Sequence, residues 1–493
     1  MSRNIPSGLL PIAAITAATS AVLLYSQWVR TKKGLETIQC FDKNEDDDSD
    51  DNQNIAPPIY LDYNGTTPIQ PEVTKAMLPY FTQHFGNPSS THYYGKGPKK
   101  AIQKARASVA SLVGGSQDGV IFTGCGTEAD NLAIHLALQS HAAISNKEKI
   151  PHVISTCVEH PAILEYLKNL QQQQNIKVTF LPVSSECQVS TKDLEAAIIP
   201  NQTCLVSVMM AQNEIGALQP ISKIMEICER HGVLFHTDAA QAIGKINLHA
   251  YFQSANSVPD MITIVGHKFG APKGIAALYI HPTNTNAKNM LSTLSDPASP
   301  SMWGKSGGLL IGGGQESGRR AGTENVPYIV GLGKAAELVK HQFQNHPNHL
   351  EYLRNCLLQQ LTKCIYNSDH DVKNPNNQDL FCVNGPKDPA QRLPNTLSIS
   401  IRNIRAGPLL QKLGKKDVAA SAGSACHSSD SVSISSVLKE MTVPMDYAMG
   451  TLRLSVGSGT TEQEVKMAAE RIANEIHIQW KDNAKIMPCY QSK

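Results

Sequence analysis

Met261-Ile262-Thr263-Ile264-Val265-Gly266-His267-Lys268-Phe269 is the stretch that decides the fold. Five residues of strand-forming type run into a glycine and leave one lysine where the strand stops. Upstream, Val233-Leu234-Phe235-His236 is a second apolar run, and it ends in Thr237-Asp238-Ala239-Ala240-Gln241. Two strand ends therefore carry an amine and a carboxylate.

Working outward, Val120-Ile121-Phe122 reads as a strand that breaks into Thr123-Gly124-Cys125-Gly126-Thr127-Glu128-Ala129, with a helix from Asp130 to Leu138. A glycine-rich turn before a helix N-terminus presents unpaired N–H groups and the positive end of the helix dipole, which suits a phosphate. Gly126 and Thr127 are placed to grip one. The pattern repeats with a strand from His152 to Thr156, the turn Glu159-His160-Pro161, a helix from Ala162 to Leu170 and a strand from Val178 to Leu181. A further strand, Leu205 to Met209, ends at Gln212-Asn213-Glu214-Ile215-Gly216, and a helix from Ser222 to His231 follows.

Strands alternating with helices predict an α/β fold with a mostly parallel sheet and helices on both faces. Ligands of such sheets gather outside the carboxyl ends of the strands. His160, Asn213, Asp238, Gln241 and Lys268 all follow predicted strands. Singly, each reads as readily as a helix cap or a turn residue. Together on one edge, beside a phosphate turn, they point to a binding site. A lysine and an aspartate so placed are the pair that holds pyridoxal phosphate: the lysine as a Schiff base, the aspartate keeping the ring nitrogen protonated.

The fold is expected to begin near Pro57, with a short strand at Tyr60 running into Asp62-Tyr63-Asn64-Gly65-Thr66-Thr67-Pro68. Helices are predicted from Pro71 to Tyr80 and from Lys99 to Val113. The glycine-rich loop Gly312-Gly313-Gly314-Gln315-Glu316, with Arg319-Arg320-Ala321-Gly322-Thr323-Glu324-Asn325, carries charged and amide groups suited to a contact. A long helix from Pro327 to Gln344 follows, and strand and helix character resumes from Leu397. We divide the folded part into a large cofactor-binding domain, 57–335, and a smaller C-terminal domain, 336–493.

Residues 1–33 differ in kind. From Asn4 to Val29 no side chain is charged, and Trp28, Arg30, Lys32 and Lys33 follow. That pattern predicts a single-pass membrane helix with the catalytic part in the cytosol; mitochondrial targeting and a soluble cytosolic protein are the alternatives. Residues 34–56 contain Glu45-Asp46-Asp47-Asp48-Ser49-Asp50-Asp51, a self-repelling run expected to be a disordered linker.

Composition narrows the partners. Of the 493 residues 41% are apolar, enough for a large core, and the formal net charge of +2 gives no reason to expect nucleic acid. Eleven cysteines without a CxxC or a paired Cys/His spacing argue for a reducing compartment and against a structural metal.

One cysteine stands apart. Ala420-Ser421-Ala422-Gly423-Ser424-Ala425-Cys426-His427-Ser428-Ser429 is small and polar, unlike the apolar surroundings of a structural cysteine, so Cys426 reads as a nucleophile or acid. Further on, Leu452-Arg453-Leu454-Ser455 sets an arginine in an apolar strand, either to clamp a substrate carboxylate or to form a surface ion pair.

These motifs resemble the cysteine desulfurase/selenocysteine lyase family of fold-type I pyridoxal phosphate enzymes, class-V aminotransferases. The resemblance rests on Tyr-Asn-Gly-Thr-Thr-Pro, Asn-Glu-Ile-Gly, His-Thr-Asp-Ala-Ala-Gln, Gly-His-Lys, Gly-Gly-Gly-Gln-Glu and Gly-Ser-Ala-Cys, from about Ile59 onward. It implies Lys268 as the Schiff-base lysine, Asp238 on the pyridinium, Gln241 on the ring oxygen, His160 stacked over the ring and Asn213 in contact with it. It implies Gly126, Thr127 and His267 on the phosphate, with Thr323 contributed across a homodimer. Arg453 and Asn64 are expected to bind substrate, and Cys426 to handle the chalcogen with Lys268 and His160 in the catalysis.

Within the family, Val265, Cys426-His427-Ser428 and Val443-Pro444-Met445-Asp446 resemble the selenocysteine lyase branch. The expected reaction is therefore cleavage of L-selenocysteine to alanine and selenide. The alternative is a cysteine desulfurase that forms a Cys426 persulfide for an iron–sulfur or thiolation acceptor; a non-catalytic scaffold is the distant one. Gly124-Cys125 in the phosphate turn and the segment Pro297 to Gly308 depart from the usual pattern.

Overall fold

In a computed structural model of the chain, the strands predicted at His152–Thr156 and Met261–Val265 occupy those same residues. The structure describes residues 57–144, 150–255, 257–295, 308–342, 346–366, 379–422 and 434–486. The apolar leader, the acidic run, most of the Pro297 to Gly308 segment and the Cys426 loop lie outside the described residues.

The strands of the first half, in chain order, are β1 (Ile59–Tyr60), β2 (Val120–Thr123), β3 (His152–Thr156), β4 (Lys177–Leu181), β5 (Thr203–Ser207), β6 (Leu234–Asp238), β7 (Met261–Val265) and β8 (Ala276–Ile280). Those of the second half are β9 (Phe381–Val383), β10 (Thr396–Ile401), β11 (Val418–Ala419) and β12 (Thr451–Ser455). Seven of them form the main sheet in the order β2-β8-β7-β6-β5-β3-β4. From β7 across to β4 every pair is parallel, while β8 runs antiparallel to both β7 and β2. The fold class expected from sequence, a mostly parallel α/β sheet, is the one found.

Two-residue alternation sends the apolar residues of these strands into cores on both faces of the sheet. Phe122, Ile154, Val206, Phe235 and Ile262 enter one core with helices Tyr93–Ser111, Ile221–His231 and Val326–Gln342. Their neighbours Ile121, Val153, Leu205, Leu234 and Met261 enter the opposite core with helix Gly126–Ile144. A sheet covered on both faces has no solvated side to be polar.

A third core joins the antiparallel sheet β9-β10-β12 to helices His346–Tyr366, Ala406–Gly414 and Glu462–Ile486. It also takes Ile59 and Leu61 from the start of the fold, because β1 pairs in parallel with β11. This return of the first strand to the last third of the chain is what sets Asp62 and Asn64 beside Arg453.

Helix starts were the poorest guide. The Tyr93–Ser111 helix begins six residues before the expected Lys99 and carries Pro98 inside it. The predicted Pro71 to Tyr80 helix is instead two, Pro71–Met77 and Pro79–Thr82, parted at Leu78.

The single-pass membrane placement is corrected. A spanning helix needs ~20 apolar residues, and among the described residues no helix is long and apolar enough to cross a membrane.

Candidate active site

Beyond the carboxyl ends of the parallel strands lies a cavity of ≈ 380 Å³ lined by Asn64, Gly126, Thr127, His160, Asn213, Asp238, Gln241, His267, Lys268 and Arg453. These are all the expected site residues except Thr323 and Cys426. Seven separate segments of chain thus converge as the strand-end argument requires.

Lys268 closes a single 3₁₀ turn, Gly266–Lys268, directly after β7. The loop from Asp62 to Pro68 wraps this turn. Thr67 N–H donates to the His267 carbonyl at 2.8 Å, and Thr67 Oγ1 to the Lys268 carbonyl at 2.9 Å. In return Lys268 Nζ donates to the carbonyls of Asn64 at 2.8 Å and Gly65 at 3.0 Å. Two main-chain oxygens thus orient the amine.

Three carboxyl groups line the floor. Asp238 ends β6 and accepts from Ala240 N–H at 2.9 Å. Burial pushes it above its usual range, against the Ala240 N–H and the nearby His160 and Lys268, which pull it down. Burial likewise raises Asp130 well above normal, with the Asp238 charge adding to it, and drives Glu159 up to about 8. Glu159 ties two strand ends together: it accepts from Met209 N–H at 2.9 Å and from Thr156 Oγ1 at 2.7 Å. Asp130 Oδ1 is buried without a hydrogen-bond partner, 3.8 Å from His236 Nε2. Charge separation alone would make that an ion pair. Burial lowers His236 to about 3, so the imidazole is uncharged at pH 7 and the contact is not an ion pair.

His160 caps helix Pro161–Gln172, its Nδ1 accepting from Ala162 N–H at 3.2 Å. That bond sets the tautomer with the proton on Nε2. Burial and the Lys268 charge lower its pKa while Asp238 raises it, and burial wins. His267 falls to about 4 for the same first reason. Both imidazoles are neutral at pH 7.

The glycine-rich turn leads into a helix that begins at Gly126, four residues before the expected start. A Cβ on Gly126 would lie 2.6 Å from Val265 Cγ2, so a side chain has no room between this helix and β7. The turn is braced from behind. Glu128 accepts from Gly124 N–H at 2.8 Å and from Arg320 Nε at 2.8 Å. Glu316 pairs with Arg106 at 2.5 Å and accepts from Phe122 N–H at 3.0 Å. Glu316 and Ser317 adopt left-handed φ of 49° and 58°, a conformation costly for such residues. The glycine-rich loop therefore does make the contact its charges suggested. Which acidic and basic residues meet was not readable, since Arg106 and Glu316 are 210 residues apart.

Arg453 is buried, not a surface residue. Its Nη2 donates to Asp62 at 2.7 Å and Nη1 to the Asn213 carbonyl at 3.1 Å, while Nε is buried with no partner. Asn64 spends its amide inside the protein: Nδ2 donates to Thr396 at 2.9 Å and to the Asn213 carbonyl, and Oδ1 accepts from Asn395. It is the Asn64 main-chain oxygen that faces the lysine.

Thr323 is exposed and lines a different cavity, of ≈ 180 Å³, with Gly124, Glu316 and Arg320. Cys426 lies outside the described residues. Sequence reasoning passed over Lys245, Asp62, Asp130 and Glu128. Glu159 carried a readable signal, a carboxylate beside the site histidine.

The donor set fits pyridoxal phosphate: an amine, a buried carboxylate for a ring nitrogen, and an open helix start for a phosphate, all on one cavity. An orphaned Arg453 Nε on the same wall suits a carboxylate. Buried polar atoms without partners are uncommon and call for such an explanation.

Comparison with known proteins agrees. The Aminotransferase class-V family model matches residues 59–467. A cysteine desulfurase of Nostoc sp. is 42% identical over 412 residues, covering 84% of this chain and 91% of the relative. The cysteine desulfurase IscS of Clostridium botulinum (strain Hall) is 39% identical over 412 residues, covering 84% and 92%. A solved structure described as a NifS-like protein superposes with a TM-score of 0.69 at 30% identity, covering 85% of this chain and all of that one. These likenesses carry no membrane placement, and the single-pass expectation is withdrawn.

Proposed function

We propose, from the premise that this chain belongs to the class-V aminotransferase family, that it is a cysteine desulfurase. Membership makes it a pyridoxal phosphate-dependent enzyme of the carbon–sulfur lyase type. The choice of sulfur over the selenium expected from the Val265 and Cys426-His427-Ser428 pattern is supported by relatives of 39–42% identity that are named cysteine desulfurases. The observation that carries the reading is the convergence of Lys268, Asp238 and Arg453 on one cavity in a chain so similar to them.

When bound, the cofactor supplies an electron sink for charge that develops at the substrate carbon. The rest is the work of this chain. Lys268 holds the cofactor and moves protons at the substrate carbons. Asp238 would hold the proton on the ring nitrogen and Gln241 would donate to the ring oxygen, with His160 and Asn213 lining the same cavity beside the ring. The start of helix Gly126–Ile144, with Thr127 and His267, would hold the phosphate. Thr323, exposed and outside this cavity, would complete the phosphate site from a second copy of the chain. Arg453 turns its unpartnered Nε to the substrate carboxylate.

Cys426 then attacks the substrate sulfur. An S–S bond forms at Cys426 as the C–S bond breaks, the bonding pair stays with the carbon fragment, and a proton completes alanine. The product on the chain is a Cys426 persulfide, to be passed to a sulfur acceptor.

The test is one turnover of the pyridoxal phosphate-loaded full chain with L-cysteine, followed by mass spectrometry. The reading expects one added sulfur on the Cys426 peptide and none in Cys426→Ser. An unmodified Cys426 beside released alanine would overturn its role.

A further inference from the structure

Lys245 is a buried lysine that the proposed chemistry does not use. Its amine donates to Gln241 Oε1 at 2.6 Å, and among the described residues no carboxylate forms an ion pair with it. Burial holds its pKa well below normal, and the Lys268 and Arg453 charges push it the same way. An amine in that setting is costly, and an apolar side chain of similar length would fill the space with less penalty. Its presence calls for a role that needs a donor.

The bond to Gln241 supplies one. The other end of that amide, Nε2, donates to the Asn64 carbonyl at 3.0 Å. The same carbonyl receives Lys268 Nζ at 2.8 Å. The Asn64 carbonyl can only accept and takes Nε2, which leaves Oε1 to receive the Lys245 amine and gives the amide one orientation. Turned over, it would set oxygen against the Asn64 oxygen and NH2 against the amine. Asn64 alone fixes only the Nε2 end, and the opposite oxygen would be buried without a partner if Lys245 were apolar.

We propose that Lys245 is a positioning residue that locks the Gln241 amide with its NH2 on the Asn64 and Lys268 side of the cavity. This rests on the reading that Gln241 donates to the cofactor ring. The lock ensures that the ring oxygen meets a donor rather than a second acceptor, before any cofactor arrives.

The experiment is a titration of the cofactor-stripped full chain with pyridoxal phosphate, read by absorbance, in a double-mutant cycle. Lys245→Met is expected to raise the dissociation constant about tenfold, the scale of one lost buried hydrogen bond. In a Gln241→Ala background the same change is expected to cost less than about twofold, because Lys245 acts through Gln241. Lys245→Arg, which keeps a donor, is expected to recover part of the loss. Tight binding by Lys245→Met would overturn the proposal. An undiminished loss in the Gln241→Ala background would also overturn it and show a purely structural lysine; this comparison, with Lys245→Arg, stands even if Lys245→Met folds poorly. Failure of the unaltered chain to take up the cofactor would overturn the underlying cofactor placement instead, and this inference with it.

Discussion

Lys268 Nζ lies 2.8 Å from the main-chain oxygen of Asn64, 204 residues earlier in the chain. Asn64 is in turn fixed by Thr396 and Asn395 beside β10. The reactive amine is thus positioned jointly by the start of the fold and by its last third. This explains why the Asp62 to Pro68 loop is built of small and turn-forming residues: its backbone must approach the lysine closely enough to accept from it.

Replacing Lys268 tests the cofactor assignment first. Lys268→Ala is expected to lose the visible absorbance of the loaded protein and to lower cysteine turnover by ~10²–10⁴-fold, the scale of a missing acid–base group. The absorbance spectrum of purified wild type and variant, side by side, makes the comparison.

Gly126 and Val265 form a tight pair that supplies a test by compensation. Gly126→Ala brings a methyl to 2.6 Å from Val265 Cγ2 and must displace the helix start. It is expected to weaken pyridoxal phosphate binding by about tenfold, as one or two N–H contacts to an anion are lost. Val265→Ala in the same chain should restore most of it, as measured by equilibrium titration of the double variant.

The Glu159 carboxyl gives a pH dependence with a definite sign. Its folded pKa, about 8, stands above the ordinary 4.5, so folding takes up a proton between these values. The stability this provides is present below pH 4.5 and is lost as the pH rises through 8. Glu159→Gln carries a permanent neutral group there. Denaturant unfolding of the cofactor-free chain at pH 6 and pH 8 is expected to show a smaller fall in stability for the variant than for wild type.

Arg453 offers a separation of binding from chemistry. Arg453→Lys keeps the charge but cannot contact Asp62, the Asn213 carbonyl and a carboxylate at once. KM for cysteine is expected to rise ~10–100-fold with a smaller change in kcat, since the lost contact is a ground-state one. Steady-state kinetics measures both.

The sheet was legible because most of its strands are buried and rich in valine, isoleucine and other strand-forming residues; β3 and β7 match residue for residue. The site was legible where a residue follows a strand directly, as with His160, Asp238 and Lys268, since topology alone gathers those ends. What lay hidden were contacts that neither periodicity nor a motif encodes. Arg453 looked equally suited to a surface ion pair until β12 was seen to be buried and Asp62 was brought to it by β1. Lys245, a lone lysine after Gly244, has no meaning until Gln241 is placed one turn before it. The membrane reading failed for a different reason: an apolar leader was extended into a placement for the whole protein.

The most direct test of the central claim is to supply the purified, pyridoxal phosphate-loaded chain with L-cysteine and with L-selenocysteine in parallel and to quantify alanine. We predict sustained release of alanine from L-cysteine, with sulfane sulfur formed in equal amount. Alanine from L-selenocysteine with L-cysteine left intact would contradict the desulfurase assignment.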